Sequence, residues 1–245
     1  MRAAALLKPV SEMLREICAT RALHVAALIV LPYAGVLVGL DVAARYGEVT
    51  GAYLPYQFFL SQDLSFGEYL EYALMTAMAA MLLLLWRRDG SPIYLVNALL
   101  FLVLAGDNAL ELHEKFGFQV ARWMPQDLPI EPHHLGEPLL FAIIGGIWLV
   151  GLALSLKASR IRPVVNSLLI AVCVGGTAVF GIVVDEIVVY GPHSAAMTQI
   201  EAFIEDGGEF GMIVIAFLLT VAIFDIERSR VHPQVDKEAS APAAA

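Results

Sequence analysis

Six long runs of apolar residues, separated by short polar segments, follow one another along the chain. Each run has about 20 residues, the length that an α-helix needs to cross the hydrocarbon core of a bilayer. We therefore predict an all-α fold, a polytopic membrane bundle of six transmembrane helices. The predicted spans are residues 22–43, 68–86, 92–113, 136–156, 163–190 and 202–226. The composition agrees, because only 16% of the residues are charged, whereas a soluble domain has about 25%.

The two ends of the chain differ from the six apolar runs. In residues 1–21, one helical stripe collects Leu6, Val10, Met13, Leu14 and Ile17. This pattern predicts an amphipathic helix on the cytoplasmic surface of the membrane, with a simple extension of the first span as the alternative. Residues 228–245 have little apolar surface to bury, and we predict a disordered cytoplasmic tail there. The transmembrane domain then covers residues 22–227.

Charge separates the two sides of the predicted bundle. The 15 Lys and Arg residues all lie on the side of the termini, except Arg45, Lys115 and Arg122. Because cytoplasmic loops are enriched in Lys and Arg, both termini are predicted to be cytoplasmic. In this orientation, all but seven of the 24 acidic residues lie on or near the periplasmic side. A surface of this sign would concentrate cations, and we expect no nucleic-acid partner.

Acidic residues gather at the periplasmic ends of the predicted spans. Carboxylates at membrane depth are costly, so each one is a candidate for a functional site. The third span carries Asp107, Glu111 and Glu114 at spacings that place them on one helix face. The sixth span carries Glu205 and Glu209 one turn apart. All five are predicted metal ligands, and hydration at the membrane surface is the alternative reading for Glu111 and Glu114.

Further candidates lie at the ends of other spans. Asp185 ends the fifth span, Glu71 lies in the first turns of the second, and His113 ends the third. We predict that these three residues act as acid–base groups or as additional ligands. His133 and His134 precede the fourth span, and they could supply imidazole ligands or could be solvated.

These residue types point to a metal ion. Carboxylates combined with imidazoles suit Zn, Fe or Mn, whereas oxygen ligands alone suit Mg, Ca or Mn. The sequence lacks the paired Glu-x-x-His helices of ferritin-like di-iron bundles. Our leading hypothesis is a divalent metal ion (Zn, Fe or Mn) bound near the periplasmic face. It would activate water or oxygen for attack on a small or lipid-like substrate that enters from the outer leaflet, as in a hydrolase or an oxidoreductase. Membrane lipid is an expected partner.

Two other functions fit the same residues. A chain of carboxylates could relay protons or pass a cation, as in a proton- or cation-coupled transporter. Its weakness is the cytoplasmic half, where His24, Asn97 and Asn166 are the few polar residues that could complete a path. The third function is structural, an accessory subunit whose acidic outer surface docks a basic partner. Acids that face inward and lie close together would favour the metal hypothesis.

The segment from Asp107 to Glu114 resembles a D-x5-H-E motif found in uncharacterised bacterial multi-span membrane proteins. The acids Glu68 and Glu71 at the start of the second span, and the acid-rich stretch 205–209 of the sixth, share this likeness. The resemblance implies a multi-pass protein of the bacterial inner membrane, and it implies no particular activity or substrate.

Overall fold

The computed structural model describes residues 4–60, 62–124, 132–184 and 194–230, and only the backbone of 4–9, 132–135 and 182–184. The described part of the chain is helical and contains no strand. In chain order the helices are α1 (Ala4–Ala19), α2 (Arg21–Thr50), α3 (Phe66–Asp89), α4 (Pro92–Leu110), α5 (Leu112–Ala121), α6 (Pro132–Ser155), α7 (Ile161–Ala178) and α8 (Ala195–Ser229). A 3-10 turn, Tyr56–Phe58, lies before α3, and a π-helical stretch, Val179–Val184, continues α7.

Six of the described helices are long and apolar enough to cross a membrane. Their spanning parts are Arg21–Thr50, Phe66–Asp89, Pro92–Leu110, Gly136–Ser155, Ile161–Gly181 and Ala195–Ser229. These helices confirm the predicted all-α fold with six spans. Large apolar side chains cover their outer faces, such as Leu28 on α2 and Leu154 on α6, each 76% exposed. Apolar surface of this extent is stable against lipid rather than water, so the chain is a multi-pass membrane protein.

The first and last spans are longer than the apolar runs that predicted them. Helix α2 continues to Thr50 instead of residue 43, and α8 begins at Ala195 instead of residue 202. The added turns contain charged side chains, which interrupt an apolar run without interrupting a helix. Gly51, with a φ of 76°, then ends α2 in the left-handed conformation that favours glycine.

The predicted third span ends three residues early, because the chain breaks at Glu111. Glu111 has φ 49° and ψ 44°, a left-handed backbone conformation that residues other than glycine rarely adopt. Helix α4 therefore stops at Leu110, and the short helix α5 starts at Leu112. The break lies inside the D-x5-H-E segment, so Asp107 is on α4 whereas His113 and Glu114 are on α5.

The amphipathic pattern near the N-terminus forms a helix of its own, α1. Thr20 has an extended backbone and separates α1 from α2. On the predicted apolar stripe, Met13 and Ile17 are only 2% exposed, and they belong to the core of the bundle. Helix α1 packs against α7 and α8. Glu16 of α1 pairs with Arg162 and, at 3.3 Å, with Arg230.

Buried polar side chains join the helices in the half of the bundle next to α1. Asn97 of α4 donates to Ser167 Oγ of α7 at 2.6 Å and accepts from Trp148 Nε1 of α6 at 3.2 Å. Asn166 donates to Tyr94 Oη at 2.8 Å. Both asparagines are 0% exposed. This half of the bundle is therefore more polar than its apolar sequence runs indicated.

Candidate functional site

Three carboxylates meet at the end of the bundle opposite α1, and we call them the acidic cluster: Asp63, Glu111 and Glu114. Asp63 lies in the connection before α3, Glu111 is the break between α4 and α5, and Glu114 is in the first turn of α5. Each offers an oxygen atom, and these atoms all lie within 4.8 Å of one another. Asp63 is exposed, whereas the two glutamates are partly buried. Such a spacing allows the three side chains to share one cation.

Local backbone structure fixes the Asp63 side of the cluster. Ser65 caps α3 by accepting the Glu68 N–H at 3.1 Å, and the Glu68 carboxylate accepts the Leu64 N–H at 2.5 Å. The Ser65 side chain thus satisfies one of the N–H groups that the first turn of a helix leaves open, and Glu68 reaches back to the N–H of the residue before the N-cap. Glu68 therefore serves the start of α3, and Asp63 is held immediately before the cap.

Burial and the neighbouring carboxylates together favour the protonated form of Glu114. Its partly buried position raises the pKa of Glu114 first, and the negative charge of Asp63 raises it further, while His113 opposes the shift. Lys115 lies 3.5 Å from Glu111, but both side chains are largely exposed, so this ion pair contributes little. The cluster is consequently rich in negative charge that nearby lysine only partly offsets.

A histidine–aspartate pair lies beside the cluster. His113 Nδ1 is 3.1 Å from Asp107 Oδ2, and Asp107 is 1% exposed. This hydrogen bond is the main reason that the pKa of His113 is raised, against the opposing effect of burial. The His113 ring also packs on Phe141 of α6, with ring centroids 5.5 Å apart. Asp107 Oδ1 is buried without a hydrogen-bond partner among the described residues.

A second group of acids lies inside the bundle, on α3 and α8. Glu71 is partly buried and interacts electrostatically with Glu209, Glu68 and Asp206. The Glu209 carboxylate lies against the bare Cα of Gly181, where a Cβ atom would overlap it. Gly181 belongs to the π-helical stretch that continues α7, and such stretches are frequent at functional sites.

A buried ion triad, formed by Asp41, Arg45 and Asp206, connects α2 to α8. Arg45 Nε donates to Asp41 Oδ2 at 2.7 Å, and Arg45 Nη2 donates to Asp206 Oδ2. The side chains of Asp41 and Arg45 are 0% and 7% exposed. The guanidinium also lies 5.7 Å from the centre of the Phe59 ring. Charges at membrane depth are stable when they are paired in this way.

The structure brings some of the predicted site residues together and leaves others apart. Glu111 and Glu114 lie in the acidic cluster, which does not include Asp107, Glu205 or Glu209. Asp107 instead pairs with His113. Glu205 is partly buried on α8, one turn before Glu209. Asp185 falls outside the described residues, as do the side chains of His133 and His134 at the start of α6.

Three residues of these groups, Asp63, Asp41 and Arg45, are not among the site residues predicted from the sequence. Asp63 lies in the connection before α3, where no local sequence pattern marks it as part of a site. Asp41 and Arg45 are spaced i, i+4, and this spacing is the signal that could have identified them, since such residues are neighbours on a helix surface. Arg45 had been counted only as one of the three basic residues on the periplasmic side.

One protein family matches the chain over most of its length. The match covers residues 17–223. No curated protein and no solved structure matches the chain. The family carries no named function, in agreement with the predicted resemblance to uncharacterised membrane proteins. Since the matched residues make up far more than half of the sequence, the protein belongs to the family defined by the domain of unknown function DUF8692.

Proposed function

We propose that this multi-pass membrane protein binds a divalent cation at the acidic cluster. The observation that carries the proposal is the convergence of Asp63, Glu111 and Glu114, whose oxygen atoms lie within 4.8 Å of one another. Like charges at this separation repel unless a cation or shared protons lie between them. The helix break at Glu111 and the N-terminal cap of α3 beside Asp63 hold the three groups together, which supports binding rather than chance proximity.

Asp107 supports the same proposal from inside the bundle. A buried polar atom without a partner costs about 1–3 kcal/mol, and more when it is charged. Asp107 Oδ1 is such an atom among the described residues. A bound water or ion beside Asp107 would satisfy it, and His113, the hydrogen-bond partner of Asp107, adjoins Glu114 of the cluster in the chain. The other oxygen of Asp107 orients His113, an arrangement that outer-shell carboxylates often adopt beside metal sites.

The chemistry of the cluster favours a hard cation. All three candidate ligands are carboxylates, and oxygen ligands alone suit Mg²⁺, Ca²⁺ or Mn²⁺. Of the Zn, Fe and Mn expected from the sequence, Mn²⁺ is the ion that suits both an all-oxygen set and a set that includes imidazole. We therefore propose Mn²⁺, with Mg²⁺ and Ca²⁺ as competitors.

The distribution of basic residues supports the proposed orientation of the site. An even number of spans leaves both ends of the bundle on one side of the membrane, and the contact of Glu16 with Arg230 agrees with this. The positive-inside rule supports a cytoplasmic location for that side. The acidic cluster would then face the periplasm across the inner membrane.

Catalysis would be a further step beyond binding. A metal-dependent hydrolase or oxidoreductase needs an open coordination position and a proton acceptor nearby. His113 is our candidate for the acceptor, because Asp107 holds its Nδ1 and leaves Nε2 available. A small or lipid-like substrate could approach from the outer leaflet.

Binding is tested by titrating the purified protein in lipid nanodiscs with Mn²⁺ while the signal of free Mn²⁺ is followed by electron paramagnetic resonance. We expect Asp63→Asn and Glu114→Gln each to lower the affinity by at least about tenfold, since even outer-shell changes cost that much. Glu48→Gln is the matched control, because Glu48 is an exposed acid near the C-terminal end of α2, from which the chain leads to Asp63. Equal affinities in all four proteins would reject the cluster as the site.

A second candidate function is the transfer of protons or a cation through the bundle. The specific observation in its favour is the proximity of Glu71 to Glu209 and Asp206 within the spans, together with the buried polar residues of the opposite half. In proteoliposomes with a pH-sensitive dye inside, Glu209→Gln would slow an imposed proton flux while Glu48→Gln would not. If liposomes that contain the unmodified protein show a proton flux no faster than that of empty liposomes, this function is excluded.

A further inference from the structure

The loop that carries Asp63 is attached to the ion triad by a buried hydrogen bond. The Leu60 N–H donates to Asp41 Oδ1 at 2.9 Å, while Asp41 Oδ2 accepts from Arg45. Each oxygen of the Asp41 carboxylate thus has its own partner. One partner is the loop that leads from α2 to α3, and the other is the arginine that reaches Asp206 on α8.

Leu60 is itself fixed in the bundle. It is 6% exposed and belongs to the hydrophobic core. Its carbonyl accepts a hydrogen bond from Ser65 Oγ at 3.2 Å. It also packs so closely on Gly67 that a Cβ atom there would lie 3.2 Å from the Leu60 Cα. The chain on both sides of Asp63 is therefore held, by Asp41 before it and by the cap of α3 after it.

Asp63 is the cluster member that does not lie in or beside α4 and α5. Glu111 and Glu114 are positioned by the break between those two helices, whereas the place of Asp63 depends on its loop. A carboxylate on a mobile loop binds a cation weakly, because the loop loses conformational entropy when the cation orders it. A loop that is already anchored at Asp41 loses less entropy on binding.

We infer that Asp41 is a positioning residue for the cation site: its carboxylate, held in place by Arg45, anchors Leu60 to α2, fixes the loop that carries Asp63 and so sets the affinity of the acidic cluster. This inference rests on the proposed function. It assigns a role to two buried charged residues that contact none of the cluster members in the described structure. It also links the acidic stretch of α8 to the cluster, through Asp206.

The test compares two substitutions at one position. Asn at position 41 keeps an oxygen that can accept the Leu60 N–H, whereas Ala keeps none. We expect Asp41→Ala to weaken Mn²⁺ binding by about tenfold to a hundredfold, as outer-shell substitutions do, and Asp41→Asn to weaken it much less. Hydrogen exchange of the Leu60 amide should speed up in Asp41→Ala, because its acceptor is gone. Faster exchange confined to the Leu60 region would show a local loss of the anchor, whereas faster exchange throughout the bundle would show a general loss of stability.

A variant of the triad without charges tests whether weak binding in Asp41→Ala results only from misfolding around an unpaired buried charge. Removing one member of a buried ion pair leaves a costly lone charge, but replacing all members can be nearly neutral. We therefore expect the triple variant Asp41→Asn, Arg45→Met, Asp206→Asn to retain the fold, and it keeps an oxygen at position 41 that can accept the Leu60 N–H. We expect this variant to bind Mn²⁺ more tightly than Asp41→Ala.

The outcomes separate the inference from the proposed function. If Asp63→Asn loses Mn²⁺ binding while Asp41→Ala binds normally, the cluster is the site and the positioning role is wrong. If Asp63→Asn binds normally, the proposed function itself fails. If the triple variant binds as weakly as Asp41→Ala, the anchoring of Leu60 is not what sets the affinity, and the inference is overturned.

Discussion

His113 Nδ1 lies 3.1 Å from Asp107 Oδ2, although the two residues would point in different directions on an unbroken helix. Six residues of α-helix turn a side chain well away from its starting direction. The left-handed backbone of Glu111 ends α4 and redirects the chain, and this brings the imidazole back over the carboxylate. One unusual residue therefore creates the histidine–aspartate pair and also places Glu111 in the acidic cluster.

Neutralising Asp107 should lower the pKa of His113. The hydrogen bond from Asp107 is the largest cause of the raised pKa, and Asp107→Asn removes the charge that stabilises the imidazolium. Because the folded-state pKa lies above the unfolded value of about 6.5, the pair stabilises the fold fully below that value and loses its effect as the pH rises through the folded pKa. The measurement is an NMR titration of His113 in metal-free protein. An unchanged pKa in Asp107→Asn would show that the pair is not formed.

Substitution of Gly136 should destabilise the contact between α5 and α6. A Cβ atom at Gly136 would lie 2.5 Å from the Gly117 Cα, and backbone at this distance cannot move aside easily. We expect Gly136→Ala to cost about 1–3 kcal/mol of unfolding free energy, the usual cost of overpacking. Gly146→Ala on the same helix is the control, since nothing lies within 4 Å of its Cβ position. Reversible unfolding in detergent measures both, and equal stabilities would contradict the close approach.

Helix α1 should detach from the bundle in acid. The hydrogen bond from Arg162 lowers the pKa of Glu16 below its ordinary value of 4.5. A lowered pKa means that the ion pair contributes above the unfolded value and that this contribution disappears as the pH falls through the folded pKa. Hydrogen exchange in α1 should therefore increase below about pH 4.5 in the unmodified protein.

Two variants check the assignment to Glu16. In Glu16→Gln the exchange of α1 should be raised at neutral pH and should change little on acidification, because the titrating group is absent. Glu48→Gln, which alters an exposed acid on α2, should follow the unmodified protein. Protection of α1 that persists in acid in every variant would mean that Met13 and Ile17, rather than the ion pair, hold the helix in place.

The six spans could be predicted from the sequence because their apolar runs are long and uniform. The ends of the spans are harder to predict than their existence. Arg45, for example, interrupts the apolar run of α2, yet it is buried and paired with Asp41 within the helix, which continues beyond it. The cap of α3 follows a local pattern, a Ser65 N-cap with Glu68 three residues later. Local patterns of this kind are visible in one sequence because all their members lie within a few residues.

The candidate site was only partly predictable. Glu111 and Glu114 stood out as acids at the end of a span, and both lie in the acidic cluster. Asp63 joins them through a contact between distant segments, which one sequence does not reveal. The break at Glu111 depends on a positive φ at a residue that is not glycine, and no local signal marks it. Tertiary packing, rather than propensity, determines both features.

The most direct test of cation binding at the acidic cluster is the paramagnetic broadening that bound Mn²⁺ causes in histidine NMR signals. His113 lies beside the cluster, whereas His24 lies at the other end of the bundle, near Thr20. We predict that one equivalent of Mn²⁺ broadens the His113 signal and leaves the His24 signal sharp, and that Asp63→Asn abolishes the difference. A His113 signal that stays sharp, or equal broadening of both signals, would contradict a cation at the acidic cluster.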